Sequence, residues 1–271
     1  MKKYNKKVVM DDPHLKYAVE GPTALITLNR PEVKNAFSLE MLTLWRQALE
    51  QARDNDQVRV IILTGQGDAF CAGGDLQEMD RGKFRGWDMK RFLWETVYPV
   101  AFIMESLDKP VIAAVNGAAA GAGLDMALMC DFRICSNRAK FSASFINIGL
   151  LAGDGGAYFL PRLVGLPQAL EMLLTGDLIS AEEAYRIGLV NRVVPQERLM
   201  AETRGLAEKL ASKPPLAVRM MKRSVYQGLN SSLRGHLDFV SSQLGLLTQT
   251  PDHQEAVRAF LEKRKPVFKG E

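Results

Sequence analysis

The sequence predicts an α/β protein carrying a helical C-terminal extension. Three observations support this. A continuous β-branched run at residues 58–64 alternates with helical patterns, as strands buried between helices do. Gly/Ala-rich loops sit where apolar strands turn into helices. After Pro195 nearly every segment is helical. Taken in order, residues 1–13 read as a polar arm. Residues 17–20 and 24–28 read as strands of a hairpin around Gly21-Pro22, and Asn29-Arg30-Pro31 ends the second. Ser38 stands at the N-cap of a helix to about Ala52, whose Leu42, Trp45, Leu49 and Ala52 form one apolar face. Residues 65–74, GQGDAFCAGG, are expected as a loop. Residues 75–106 are helical and charged with breaks at Gly82 and Gly86, which suits an entrance lid or a plain pair of surface helices.

Residues 109–162 form the stretch around which the chain is organised. A strand at 111–115 leads into a Gly/Ala loop at 117–123, then an apolar helix ending near Asp131. The turn Gly153-Asp154-Gly155-Gly156 follows. A helix at 167–175 has proline in its first turn and Gly176 just past its end. Ser180-Ala-Glu-Glu183 is a capping box for a short helix stopped by Gly188, before a strand-like 190–194. Helices are expected at 196–212, 215–228, 231–248 and 252–264. The domain reading is therefore an α/β core over 1–195 and a helical subdomain over 196–271.

Composition narrows the class. With 47% hydrophobic and 24% charged residues over 271 positions, the chain has the make-up of a soluble globular protein with a sizeable core. A net charge of +4 is compatible with an anionic small-molecule ligand but is better explained by an ordinary solvated surface; it does not imply nucleic acid. Cys71, Cys130 and Cys135 have no paired spacing, and buried free thiols in a reducing compartment account for them. The basic N-terminus lacks the apolar run of a secretory signal. No apolar stretch reaches the roughly 18 residues of a membrane span. A cytoplasmic location is expected.

The common catalytic motifs are missing: there is no G-x-x-x-x-G-K-[ST], no completed G-x-G-x-x-G and no G-x-S-x-G. His14, His236 and His253 are scattered, which argues against a metal site or a histidine base. Chemistry must rest on carboxylates and backbone amides. Two glycine-rich segments expose such amides, Cys71-Ala-Gly-Gly74 before Asp75 and Gly121-Ala-Gly123 before Leu124-Asp125. Each alone suits close packing; together they suit an enolate oxygen, for which one donor is typically worth about 2.7–4 kcal/mol. Of the nearby acids, Asp75 and Asp125 fall at helix starts, where capping is the first explanation. Asp154 lies among glycines with apolar segments on either side, where a carboxyl pKa rises toward neutrality. From the residues alone it can be a turn-former or a general acid/base.

The runs Leu28-Asn-Arg-Pro31, Asn35-Ala-Phe37, Phe70-Cys-Ala-Gly-Gly-Asp75-Leu, Lys109-Pro-Val-Ile-Ala-Ala-Val-Asn-Gly117 and Met129-Cys-Asp131 resemble the crotonase (enoyl-CoA hydratase/isomerase) superfamily. So do Gly188-Leu-Val190 and the ending Phe260-Leu-Glu-Lys-Arg-Lys-Pro266, and the resemblance covers about residues 17–269. It implies a crotonase-like β/α spiral core, a C-terminal helical trimerisation region, homotrimers or hexamers built as dimers of trimers, and acyl-CoA thioester substrates. Coenzyme A is then part of the substrate, and no separate cofactor or metal is expected. Carried over by position, the oxyanion-hole amides are those of Gly74 and Ala122. Acyl-CoA contacts come from Asn35, Ala36 and Phe37 and from the segment holding Ala72, Asp75 and Leu76. Phe260 and Lys263 reach CoA, in some members from a neighbouring subunit.

The departures from the family pattern carry more information. Of the two glutamates of family hydratases, the first falls on Asp125 and the second on Phe145, which cannot ionise. Acidity appears instead at Asp154, in a branch that resembles ring-epoxide phenylacetyl-CoA isomerases and some 3-enoyl to 2-enoyl-CoA isomerases. The resemblance therefore implies double-bond isomerisation of an unsaturated acyl-CoA by Asp154, with Phe145 lining a greasier pocket. Hydration using Asp125 and Asp154 stays open. So do thioester hydrolysis and a non-catalytic protein that binds acyl-CoA or RNA.

Overall fold

The computed structural model describes residues 6–75 and 86–271. Its frame is a sheet of seven strands in the order β1-β2-β3-β4-β6-β8-β11. These are β1 (Lys6–Asp11), β2 (Leu15–Glu20), β3 (Thr23–Leu28), β4 (Val60–Gly65), β6 (Val111–Val115), β8 (Phe132–Ser136) and β11 (Arg192–Val194). β1, β2 and β3 pair antiparallel and the remainder parallel. The expected β2–β3 hairpin is present. The polar arm is not: from Lys6 the chain is an edge strand on β2. Its side chains are largely solvent-facing, with Val8 and Val9 exposed, so no buried face marks it in the sequence.

The parallel strands explain the β-branched run. Along β4, Ile61 and Leu63 face the main core, while Val60 and Ile62 join Ile112 and Ile134 on the opposite face. Successive side chains point to opposite faces, so a strand covered on both sides needs apolar residues throughout. The main-core face is covered in part by α1 (Leu39–Asp54), capped by Ser38, whose Oγ accepts the Met41 N–H. Trp45, Leu49 and Ala52 of α1 are buried as the helical spacing predicts. The other face is covered by α8 (Leu199–Ala211), which contributes Leu199, Ala207 and Ala211. Arg59, just before β4, donates to the carbonyls of Ala211 and Phe268 at 3.1 and 2.9 Å, tying the tail to the sheet.

A second, four-stranded sheet runs β10-β9-β7-β5, made of β5 (Ala69–Cys71), β7 (Ala118–Ala120), β9 (Lys140–Ser142) and β10 (Ile179–Ser180). Each of β5, β7 and β9 follows a large-sheet strand after a short turn. The chain thus steps from one sheet to the other three times, which makes the spiral. The segments expected as loops at 65–74 and 117–123 hold two of these strands. They form because backbones approach side by side: a Cβ on Gly117 would lie 1.9 Å from the Asp68 carbonyl oxygen. The two strands are three residues long, Ala-Phe-Cys in β5 and Ala-Ala-Ala in β7, too short to carry an alternation to read.

The remaining helices are α2 (Trp87–Phe92), α3 (Tyr98–Ser106), α4 (Ala122–Leu128), α5 (Gly156–Val164), α6 (Leu166–Thr175), α7 (Ala181–Arg186), α9 (Pro215–Gly228), α10 (Leu233–Leu247) and α11 (Pro251–Leu261). A π-helical turn over Leu93–Val97 joins α2 to α3. Gly82, expected as a break, lies outside the described residues. α9 is anchored to the sheet by Asp131, which accepts from Lys222 Nζ at 2.7 Å, Tyr226 Oη at 2.8 Å and the Val111 amide at 2.7 Å. Among the described residues no helix is long and apolar enough to cross a membrane.

Candidate active site

The site lies where β5 and β7 leave the small sheet. After β5 the chain turns through Gly73, whose φ of 102° requires glycine. A Cβ there would lie 2.9 Å from the Ala120 carbonyl oxygen and 3.4 Å from the Ala122 nitrogen. The two glycine segments therefore run against each other. Gly123 seals the junction, because a Cβ on it would lie 2.1 Å from the Cys71 carbonyl oxygen. Gly74 forms a parallel bridge with Phe37: the Phe37 N–H donates to Gly73 O at 2.7 Å and the Asp75 N–H to Phe37 O at 3.1 Å. This geometry turns the Gly74 N–H to the other side. Ala122 is the first residue of α4, where helical N–H groups have no partner in the helix. Among the described residues neither amide donates to a backbone acceptor across turns or loops.

The acids come from α4 and from the turn before α5. Asp125 is 1% exposed. Its Oδ2 accepts the Gly156 N–H at 2.9 Å and the Asp154 N–H at 3.3 Å. Its Oδ1 is buried with no hydrogen-bond partner among the described residues. Burial, then the charge of Asp154, raises its pKa to about 7, against the pull of the two amides. Asp154 is half-buried, and burial raises its pKa to about 6. Two neighbouring carboxyls thus titrate near neutrality, the range in which an acid can both take and return a proton. Asp154 is close enough for its charge to raise the pKa of the Tyr98 phenol, behind the larger effect of burial. It also adds to the rise of the Cys71 thiol, which burial carries to about 12. That thiol, bonded to Asn35 O at 3.0 Å, is no nucleophile.

The other expected residues divide into three groups. Phe145 lies beside the amide segment, its ring 3.9 Å from where a Gly121 Cβ would stand. Ala36 and Phe37 line up with Gly73–Asp75 through the bridge, and Ala72 is exposed with its N–H on Lys34 O at 3.0 Å. Asp75 pairs with Arg30 at 3.2 Å, and Arg30 also donates to Ala36 O at 2.8 Å, which holds the segments in register. Asn35 is fully buried and its side chain is engaged by Arg30 N, Gln66 O and Ala69 O. It shapes the loops and has no surface to offer a ligand. Leu76 lies outside the described residues. Phe260, 83% exposed, and Lys263 stand at the far end of α11, and the bonds that define the cluster do not include them. Sequence reading missed Tyr98, Arg30 and Gly156. Arg30 and Gly156 stood inside noted motifs without a role of their own, and Tyr98 left a trace as the middle of the aromatic series Trp94, Tyr98, Phe102 at helical spacing.

Fold and cluster together define an α/β enzyme that pairs backbone amides without a backbone acceptor across turns or loops, among the described residues, with a buried and a half-buried acid. The chain belongs to the enoyl-CoA hydratase/isomerase family, whose model matches residues 19–271. It is 38% identical to a crotonyl-CoA hydratase of Syntrophomonas wolfei over 92% of this chain and 95% of that protein. It is 36% identical to a 1,2-epoxyphenylacetyl-CoA isomerase of Escherichia coli, over 93% and 97% of the two chains. Among solved structures, an enoyl-CoA hydratase subunit of Geobacillus kaustophilus superposes with a TM-score of 0.89 at 41% identity, covering 95% of this chain and 98% of that one. The crotonase-type fold expected from the resemblance is thereby borne out, as is an enoyl-CoA hydratase or isomerase activity.

Proposed function

We propose that this enzyme moves the double bond of an unsaturated acyl-CoA. The Gly74 and Ala122 amides would hold the thioester oxygen while Asp154 takes a proton from the α carbon. The resulting dienolate keeps its negative charge on that oxygen, and Asp154 returns the proton at the γ carbon. No water is added and no redox partner is needed. The observation that carries this reading is Asp154: a half-buried acid with a pKa of about 6, in the same cluster as two amides that, among the described residues, donate to no backbone acceptor across turns or loops. Such general acid–base assistance contributes roughly 10²–10⁴-fold. Phe145, Tyr98 and the Trp94–Phe102 pair, with ring centroids 5.6 Å apart, favour a bulky or aromatic acyl group.

Hydration is the second reading, favoured by the nearness of a second carboxyl and by relatives named as hydratases. Against it, Asp125 is shut away from solvent with Oδ2 already on two amides. The exposed apolar residues of the C-terminal helices, among them Leu233, Phe260 and Leu261, support assembly into a homotrimer or a hexamer of two trimers. In such an assembly Phe260 and Lys263 would serve a neighbour's CoA. The three buried free cysteines fit a reducing, cytoplasmic compartment. The test is a panel of 2-enoyl and 3-enoyl CoA esters incubated in heavy-oxygen water. Isomerisation leaves product mass unchanged with the double bond moved. A gain of labelled water as the main product establishes hydration and rejects the first reading.

A further inference from the structure

The second acid has a geometry that sets it apart from a group that handles water. Asp125 Oδ2 clamps the turn that carries the first acid, through the amides of Gly156 and Asp154. Oδ1 fills the space that a side chain at residue 156 would need: a Cβ on Gly156 would lie 2.2 Å from Oδ1 and 3.0 Å from the Ala152 methyl. Gly156 is therefore matched to this carboxyl. Oδ1 itself is buried and accepts nothing among the described residues. Among the described residues no cation acts on Asp125, and a buried carboxylate with one oxygen unsolvated and no counter-charge is far costlier than a neutral acid in the same place. The groups acting on Asp125, among the described residues, are Asp154 and the two amides. Around Asp154 itself stand the neutral Cys71 thiol and the Tyr98 phenol.

We propose that Asp125 is a positioning residue that keeps its proton on Oδ1 in the working enzyme, aiming Asp154 through the turn and leaving Asp154 as the one group of the pair that changes charge. This rests on the reading of Asp154 as the acid/base. It assigns Asp125 no contact with substrate or with a reacting water. The acid limb of the pH–rate profile then belongs to Asp154. An alkaline limb belongs to Asp125, because its ionisation places a second negative charge beside the first and loosens the clamp.

The test compares full-length wild type with Asp125→Asn, Asp125→Ala, Gly156→Ala and Asp154→Asn, measuring kcat and KM for an enoyl-CoA ester against pH. Asparagine reproduces a neutral acid, keeping an oxygen for both amides. Asp125→Asn is expected to hold kcat within about tenfold of wild type and to lose the alkaline limb. Asp125→Ala and Gly156→Ala are expected to lower kcat by about 100-fold and 10-fold, with KM little changed. The proposal is overturned if Asp125→Asn is as inactive as Asp154→Asn, if it keeps the alkaline limb, or if Asp125→Ala is fully active. Gly156→Ala, which retains both acids, decides the matter should Asp125→Asn fail to fold; wild-type kcat in it overturns the clamp. Full activity in Asp154→Asn is a different result, since it removes the acid/base reading itself.

Discussion

At the scale of single residues, the site depends on where charge is allowed to exist. Asp125 has a folded-state pKa of about 7, well above the ordinary carboxylate value. The folded protein thus binds a proton that the unfolded chain has released between about pH 4 and 7, so this group's stability contribution is intact at acid pH and falls as pH rises through 7. Each unit of such a shift corresponds to about 1.4 kcal/mol. Asp125→Asn should therefore melt higher than wild type at pH 8 and equal to it at pH 4, as read by circular dichroism. A variant less stable at pH 8 would contradict the assignment. The sequence disclosed the glycine setting of Asp154 but not its tie to Asp125. Those bonds join residues 29 and 31 positions apart, which no local pattern encodes.

At the scale of elements, what could be read was whatever has a period or a cap. Helix α1 announced itself by its apolar face and by Ser38, whose Oγ also lies 2.5 Å from His14 Nδ1. Ser38→Ala should lower stability by about 1 kcal/mol in urea melts. β4 was legible for the same reason, since burial on both faces leaves no room for polar residues. Ile62→Ala, fully inside the second core cluster, should cost about 2–5 kcal/mol. β1, β5 and β7 were not legible. The first is an edge strand with solvent on most of its side chains, and the others are held by backbone approach at glycine and alanine. A three-residue strand is too short to show an alternating pattern, even where, as in β5, Phe70 and Cys71 are fully buried.

At the scale of the whole molecule, two sheets traversed in a spiral bring four backbone segments to one place: the Phe37 bridge, the Gly73 turn, the start of α4 and the Asp154 turn. The pairing of the two glycine segments was suggested by their chemistry, but the meeting of all four was foreseen only through the resemblance of motifs, because convergence of distant loops is a property of topology. The tail presents Leu233, Phe260 and Leu261 to solvent at 74%, 83% and 74% exposure, more apolar surface than a monomer needs. Light scattering should accordingly return a mass about three or six times the 30.1 kDa chain, and a monomer at micromolar concentration would count against the trimer proposal. In the proposed reaction Asp154 carries the proton. This is tested most directly by deuterium exchange at the α and γ carbons of a 3-enoyl-CoA in heavy water, followed by mass spectrometry for wild type and Asp154→Asn. Wild type is expected to exchange and the variant to lose at least about 100-fold, with ester binding retained; exchange at the wild-type rate in Asp154→Asn would rule Asp154 out as the proton carrier.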